Sequence, residues 1–378
     1  MTMTIIRLAI VRKKYRLDGG AERFISNTLA ALKNSDIEIH LITQQWEKTK
    51  SIPHRHVHIC ATNGYHRITR EKKFSNEAKK YWTQHDFNLV QSHERITGCD
   101  IFRAGDGVHK IWLKHRSRVV PFYKKKLTDI SPYHQYILSE ESKMFRSPKL
   151  KKIICNSIMV KNDIMRCYGL EENKFALIYN CVDQTIFIPP TKKKRRELRQ
   201  ALKIPEQAFA LIFVGSGFLR KGLRQVIEAI SGTNHYLIVV GYDKHHIRYK
   251  RLAQSLGHLS RIRFIGIYHD ILPYYQAADA LILPSLYDPF PNVILEAMSC
   301  GLPIITSKSC GGAELIEQGR EGFVCDALDV ASLKMFVSEI SSKNQDSTMG
   351  DAARKRVSYY TPFLLSHQLK TLYKDLLL

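Results

Sequence analysis

The sequence predicts an α/β protein built from two doubly wound domains, and two observations carry that prediction. Short, continuously apolar runs alternate with longer stretches of helical spacing through most of the 378 residues, the pattern of parallel strands covered by helices on both faces. The alternation is interrupted once, at residues 188–205, where Pro189 and Pro190 run into the basic stretch Lys192 to Arg196. A chain of this length suits two or three domains of roughly 100–200 residues each.

Taken in order, Ile5 to Val11, Ile37 to Thr43, Leu89 to Ser92 and Ile153 to Asn156 read as buried strands of the first half, each followed by enough chain for a helix. In the second half Ala210 to Gly215, Tyr236 to Gly241, Ile262 to Ile265, Ala280 to Pro284 and Pro303 to Thr306 read the same way. The expected domains are residues 1–185 and 186–359. A closing helix over 360–378, with Phe363, Leu364, Leu369, Leu372, Leu376 and Leu377 at helical spacing, would return to the first domain. In such architectures ligands bind beyond the carboxyl ends of the strands, here in a cleft between the two domains.

Composition is that of an ordinary folded protein, with 44% hydrophobic and 25% charged residues, which excludes disordered and collagen-like chains. The net charge of +23 is unusual and implies an anionic partner. It is unevenly spread: residues 1–180 sum to +16 and residues 101–170 alone to +10, whereas 201–378 contribute +3. Between His109 and Leu127, Lys110, Lys114, Arg116, Arg118, Lys124, Lys125 and Lys126 are interleaved with Trp112, Phe122 and Tyr123. Mixed basic and aromatic residues suit a segment lying against an anionic membrane surface or acceptor; a solvated face with its apolar residues packed inward is the alternative. No apolar run approaches the roughly 18 residues of a spanning helix, so a soluble or peripheral cytoplasmic protein without a secretory signal is expected. The eight cysteines form no zinc-type spacing and read as reduced thiols. No RNA-binding motif or basic recognition helix is present, so no nucleic-acid partner is expected.

The chemistry concentrates in Leu283-Pro-Ser-Leu-Tyr-Asp-Pro-Phe-Pro-Asn-Val-Ile-Leu-Glu. A strand ends at Pro284 and a helix starts near Asn292, which can serve as its N-cap. Asp288 in the loop and Glu296 in the second turn, with seven residues between them, can both face a cleft at the sheet's carboxyl edge. Ionised carboxylates accept hydrogen bonds from sugar hydroxyls, and helix N-terminal amides favour a diphosphate.

On these residues the chain resembles retaining glycosyltransferases of family 4, which have the GT-B fold of two Rossmann-like domains. The resemblance covers nearly the whole chain and implies that Asp288 contacts the donor sugar and Glu296 the nucleotide ribose. Asp288 stands where the family usually has glutamate, and Pro289 and Pro291 where it commonly has glycine; proline offers no N–H, leaving the amides of Phe290, Asn292 and Val293. Phe213-Val-Gly-Ser-Gly-Phe-Leu-Arg-Lys-Gly is similar to the family's glycine-rich loop with its Arg/Lys pair. There Gly215 and Gly217 permit a tight turn, and Arg220 and Lys221 would stabilise the leaving diphosphate without a metal. Gly19 and Gly20, after the first strand, resemble the loop that meets donor phosphates and acceptor. Gly98 to Lys110 resembles the lipopolysaccharide-core branch, which implies a catalytic role for Asp106, with Asp100 as the nearby alternative. Ile178 to Asp183 and Ser309 to Val324 resemble the family's domain-linking and glycine-rich segments.

The resulting expectation is a metal-independent, cofactor-free hexosyltransferase that takes a nucleotide diphosphate sugar, by preference UDP-glucose, and acts on the inner-core heptose of lipopolysaccharide from the inner face of the cell membrane. A capsule or exopolysaccharide transferase with another lipid-linked saccharide acceptor, and a nucleotide-sugar epimerase, are the alternatives. A non-enzymatic membrane adaptor would explain the charge but neither the acid pair nor the Arg/Lys pair.

Overall fold

The computed structural model describes residues 5–15, 36–46, 55–62, 66–268, 270–343 and 347–378. They form two compact units, one of Met1–Asn180 with Pro362–Leu378 and one of Cys181–Thr361. The divisions fall a few residues from the expected 185 and 360.

Each unit is a parallel sheet with helices. In the first, seven strands lie in the order Arg55–Ile59, Ile37–Thr43, Ile6–Val11, Leu89–Ser92, Ile101–Arg103, Lys152–Cys155, Phe175–Leu177. In the second, six lie in the order Ile262–Gly266, Tyr236–Val240, Ala210–Val214, Ala280–Leu283, Ile304–Ser307, Gly322–Cys325. In both, the chain starts in the middle, winds outward one way, then returns and winds the other way. The reversal opens a crevice beside the first strand, between Ile6–Val11 and Leu89–Ser92 in one unit and between Ala210–Val214 and Ala280–Leu283 in the other.

Continuous apolar runs become central strands because both of their faces are covered. Leu211, Ile212, Phe213, Leu281 and Ile282 are fully buried, each such side chain contributing about 1.5–3 kcal/mol. The strands missing from the sequence reading are short or polar. Ile101–Arg103 and Phe175–Leu177 have three residues each, while Arg55–Ile59, Arg-His-Val-His-Ile, and the four-residue Gly322–Cys325 lie at sheet edges where no apolar run is required.

The basic stretch after Pro190 is a helix, Lys192–Ala201, rather than a bare connector. Thr191 Oγ1 accepts from the Lys194 amide at 3.2 Å, and Arg199, 2% exposed, donates to Asp279 at 2.5 Å and to the Ala277 carbonyl at 3.0 Å. The C-terminal helix, Pro362–Asp375, packs in the first unit. Its buried face is Leu365, Leu369, Leu372 and Tyr373, and the Tyr373 hydroxyl donates to Gln91 at 2.8 Å. Phe363, Leu364 and Leu377, expected on that face, are exposed, because the face follows the 3.6-residue period from Leu365 rather than from Phe363.

Candidate active site

In the second unit the loops following the two strands at the crevice meet. Residues 215–222 follow Ala210–Val214. Gly215 has φ 145°, and a side chain there would press on the Lys221 stem. Gly222, φ 83°, has no room for a Cβ against the Pro284 carbonyl, which would lie 2.2 Å away. The two loops are therefore in backbone contact, and the Leu286 amide donates to the Arg220 carbonyl at 2.8 Å. This brings three predicted residues together. Lys221, 7% exposed, pairs with Asp288 Oδ2, and Arg220 Nη1 stands 3.4 Å from the same oxygen and 3.4 Å from the Tyr287 carbonyl. Burial pushes the Lys221 ammonium below its ordinary pKa, while the Asp288 carboxylate opposes that shift. Arg220 remains about one-third open to solvent. Two cations on one carboxylate leave a net positive charge at the mouth of a glycine turn, a setting that favours a polyanion.

Asp288 is fixed by its backbone, its amide donating to the Ser309 carbonyl at 3.0 Å and its carbonyl accepting from Gly311 at 2.8 Å. The glycine-rich segment after Ile304–Ser307 thus holds the acid loop. The helix Asn292–Ser299 is capped by Pro291, not by Asn292, which occupies the first helical position; no side chain caps it. Proline fits there because the cap residue is still extended, with φ −74° and ψ 125°, within the range its ring allows. Phe290, Asn292 and Val293 lie around this N-terminus, the first two buried. Glu296, in the second turn and 4% exposed, accepts from the fully buried Tyr275 hydroxyl at 2.9 Å. Tyr275 was invisible to motif reading, since it comes from the helix Leu272–Ala277, before the strand that leads into the acid loop.

In the first unit a second cluster occupies the equivalent crevice. Arg12 follows strand Ile6–Val11, Glu94 follows Leu89–Ser92 and Asp106 follows Ile101–Arg103. Arg12 Nη1 is 3.4 Å from both carboxylates. They line a pocket of about 360 Å³ together with Lys13, Lys14, Arg67, Arg70 and Glu71, the last paired with Lys13 at 2.8 Å, so that five cations face three carboxylates. Burial raises the Glu94 pKa, with Arg12 pulling against it. Asp106 is exposed, on a turn closed by Gly107 at φ 66°. Asp100 lies at the opposite end of its strand, where Oδ2 accepts from the Val90 amide at 2.9 Å. Its position is structural, and Asp106 is the acid at the carboxyl edge. Behind it, buried Glu141 accepts from the His109 amide at 3.0 Å, from Arg95 at 2.6 Å and from the Tyr168 hydroxyl at 2.6 Å, anchoring the start of helix His109–Arg116. Burial first, then Arg95, lower the His109 pKa to about 4, so the imidazole is neutral at physiological pH. A larger pocket, about 850 Å³ between Phe209, His235 and Ser341, opens at the amino ends of the second unit's strands, away from all of these groups. Gly19 and Gly20 fall outside the described residues.

The charged segment divides into helices His109–Arg116 and Phe122–Asp129. Lys110, Lys114, Arg118, Lys125 and Lys126 are exposed, whereas Trp112 and Arg116 are half-buried, Arg116 donating to Thr128 at 3.2 Å. The Lys124 side chain lies outside the described residues. Phe122, Tyr123, Leu127 and Ile130 are 60–71% exposed beside these lysines. No helix among the described residues is long and apolar enough to cross a membrane.

Residues 18–186 match the family described as Glycosyltransferase Family 4, and residues 194–356 match Glycosyl transferases group 1. The chain is a glycosyltransferase. It is 25% identical over 321 residues to the lipopolysaccharide glucosyltransferase WaaG of Escherichia coli K12, covering 82% of this chain and 83% of that one. The crystal structure of WaaG, a glycosyltransferase involved in lipopolysaccharide biosynthesis, superposes with a TM-score of 0.83 at 22% identity over 97% of this chain and 99% of the other. Anabaena HepE in complex with UDP-glucose superposes with a TM-score of 0.76 at 18% identity, covering 98% of this chain and all of that one. The fold of this glycosyltransferase is thus the two-domain α/β GT-B fold.

Proposed function

We propose that the glycosyltransferase is a retaining, metal-independent hexosyltransferase that moves glucose from UDP-glucose to the heptose of a lipopolysaccharide inner core. The observation that carries this reading is the cluster of Arg220, Lys221 and Asp288 at the second unit's crevice, with Glu296 in the helix that follows. When the bond between the anomeric carbon and the phosphate oxygen breaks, negative charge develops on the diphosphate. Arg220 and Lys221 supply positive charge there, the part a metal would otherwise play. Asp288 and Glu296 accept hydrogen bonds from hexose and ribose hydroxyls, holding the donor in reacting geometry. Asp106 orients the acceptor hydroxyl or offsets positive charge on the sugar, and the surrounding basic pocket suits a phosphorylated acceptor.

Glucose and the lipopolysaccharide acceptor are inferred from the similarity to WaaG; UDP has further support from the fold shared with HepE. The exposed Phe122, Tyr123, Leu127 and Ile130 beside Lys125 and Lys126 support peripheral attachment to an anionic cytoplasmic membrane face. The test is incubation of the full chain with UDP-glucose and heptose-terminated core lipid, read by mass spectrometry and by NMR of the product anomer. A gain of one hexose with α configuration is expected. Failure to transfer to that lipid, with transfer to a capsule-type lipid instead, would replace the acceptor assignment; conversion of the nucleotide sugar alone would favour the epimerase.

A further inference from the structure

We propose that Glu38, His40 and His56 form a binding site for a late first-row divalent metal ion, of the zinc or nickel class, at the outer edge of the seven-stranded sheet. The site is separate from sugar transfer. In the parallel register His40 lies opposite His56. Side chains alternate along a strand, so Glu38, two residues before His40, shares that face. The ligand atoms of the three side chains lie within 4.8 Å of one another, with Glu38 Oε1 3.2 Å from His40 Nε2 and 2.9 Å from His56 Nε2. Two ligands of one ion, each about 2.0–2.2 Å from it, are separated by about this much. Two imidazoles and one carboxylate are also a donor set that such ions take.

A second observation points to a cation. His40 is 6% exposed, and its Nε2 has no donor–acceptor partner of good geometry, only the Glu38 carboxylate oxygen at ion-pair distance, 3.2 Å. Leaving a buried polar atom unsatisfied is destabilising, and an ion at this point would satisfy it. The other ring nitrogen is held: His40 Nδ1 is 3.1 Å from His58 Nε2, and His58 Nδ1 is 2.6 Å from the Tyr81 hydroxyl. With Nδ1–H donating to His58, the Nε2 lone pair of His40 faces Glu38 and His56, the arrangement by which outer partners orient a metal-binding histidine. Arg7 Nε sits 3.7 Å from the other Glu38 oxygen, so one carboxylate oxygen is offered. The His56 side chain is 52% exposed, which leaves a way in and space for water ligands. An ion here would clip the edge strand Arg55–Ile59 to its neighbour Ile37–Thr43.

The test is calorimetric titration of the untagged full chain with Ni²⁺ after treatment with chelator, in parallel with thermal melts. One ion per chain, with a raised melting temperature, is expected. His56→Ala, at an exposed position, should weaken binding at least tenfold while leaving the metal-free melt unchanged, and His245→Ala, at an exposed histidine of the second unit, should leave binding unchanged. Absence of saturable binding in the untagged chain overturns the proposal. So does wild-type affinity in His56→Ala, or a loss that follows instead the replacement by serine of Cys60, the half-buried thiol just after strand Arg55–Ile59.

Discussion

At the residue scale, the contact between Lys221 and Asp288 raises the question of how much of the pair is structure and how much is chemistry. Both side chains are largely buried, and removing one partner of a buried pair costs about 3–5 kcal/mol because the other charge is stranded. Lys221→Met should therefore lower the melting temperature as well as turnover. Adding Asp288→Asn removes the stranded charge, so the double variant should regain most of the melting temperature and none of the turnover. Recovery of turnover in the double variant would assign Lys221 to the fold alone. Loss of a donor that stabilises developing charge typically costs about 10²–10³ in kcat, which sets the expected size in steady-state assays of Lys221→Met.

At the element scale, the strand-to-loop junctions position Arg12, Glu94, Asp106, Arg220, Lys221 and Asp288, and they explain what the sequence could and could not reveal. The central strands were legible because burial on both faces demands an unbroken apolar run, and the Asp288/Glu296 and Arg220/Lys221 motifs were legible because each lies within one loop and the helix after it. Arg12 with Glu94, and Tyr275 with Glu296, join elements far apart in sequence, so no spacing rule could find them. The trio of Glu38, His40 and His56 escaped for the same reason, being assembled across two strands by register. The basic run at the interruption gives no sign of the helix Lys192–Ala201, because its arginines look solvated until Asp279 is seen beneath Arg195 and Arg199.

Two predictions belong to single elements. Helix His109–Arg116 begins at a neutral imidazole whose pKa lies at about 4, below the unfolded value near 6.5. Between those values the unfolded chain binds a proton that the folded chain does not, so stability falls as pH drops from about 6.5 toward 4. His109→Asn should make that decline shallower in melts followed across the range. On helix Phe122–Asp129, replacing the exposed Phe122 and Leu127 with serine should leave the melt within about 0.5 kcal/mol of wild type, yet reduce sedimentation with anionic vesicles severalfold. Unchanged sedimentation would remove this helix from the membrane surface.

At the scale of the whole molecule, the charge is divided unequally between the units, with +17 on residues 1–180 and 362–378 against +6 on 181–361. Exposed charges are screened beyond about 10 Å at 0.1 M salt, buried ones much less. Raising salt should therefore weaken vesicle association far more than nucleotide-sugar binding, where Lys221 and Asp288 are enclosed. Equal sensitivity of the two would refute this division.

The most direct test of the account is calorimetric titration of the full chain with UDP-glucose, comparing wild type with Glu296→Gln. The substitution keeps an acceptor for the Tyr275 hydroxyl and removes the charge offered to the ribose. Saturable binding by the wild type, weakened at least tenfold in the variant with an unchanged melt, is the predicted result; no binding by the wild type, or equal affinity in both, would contradict it.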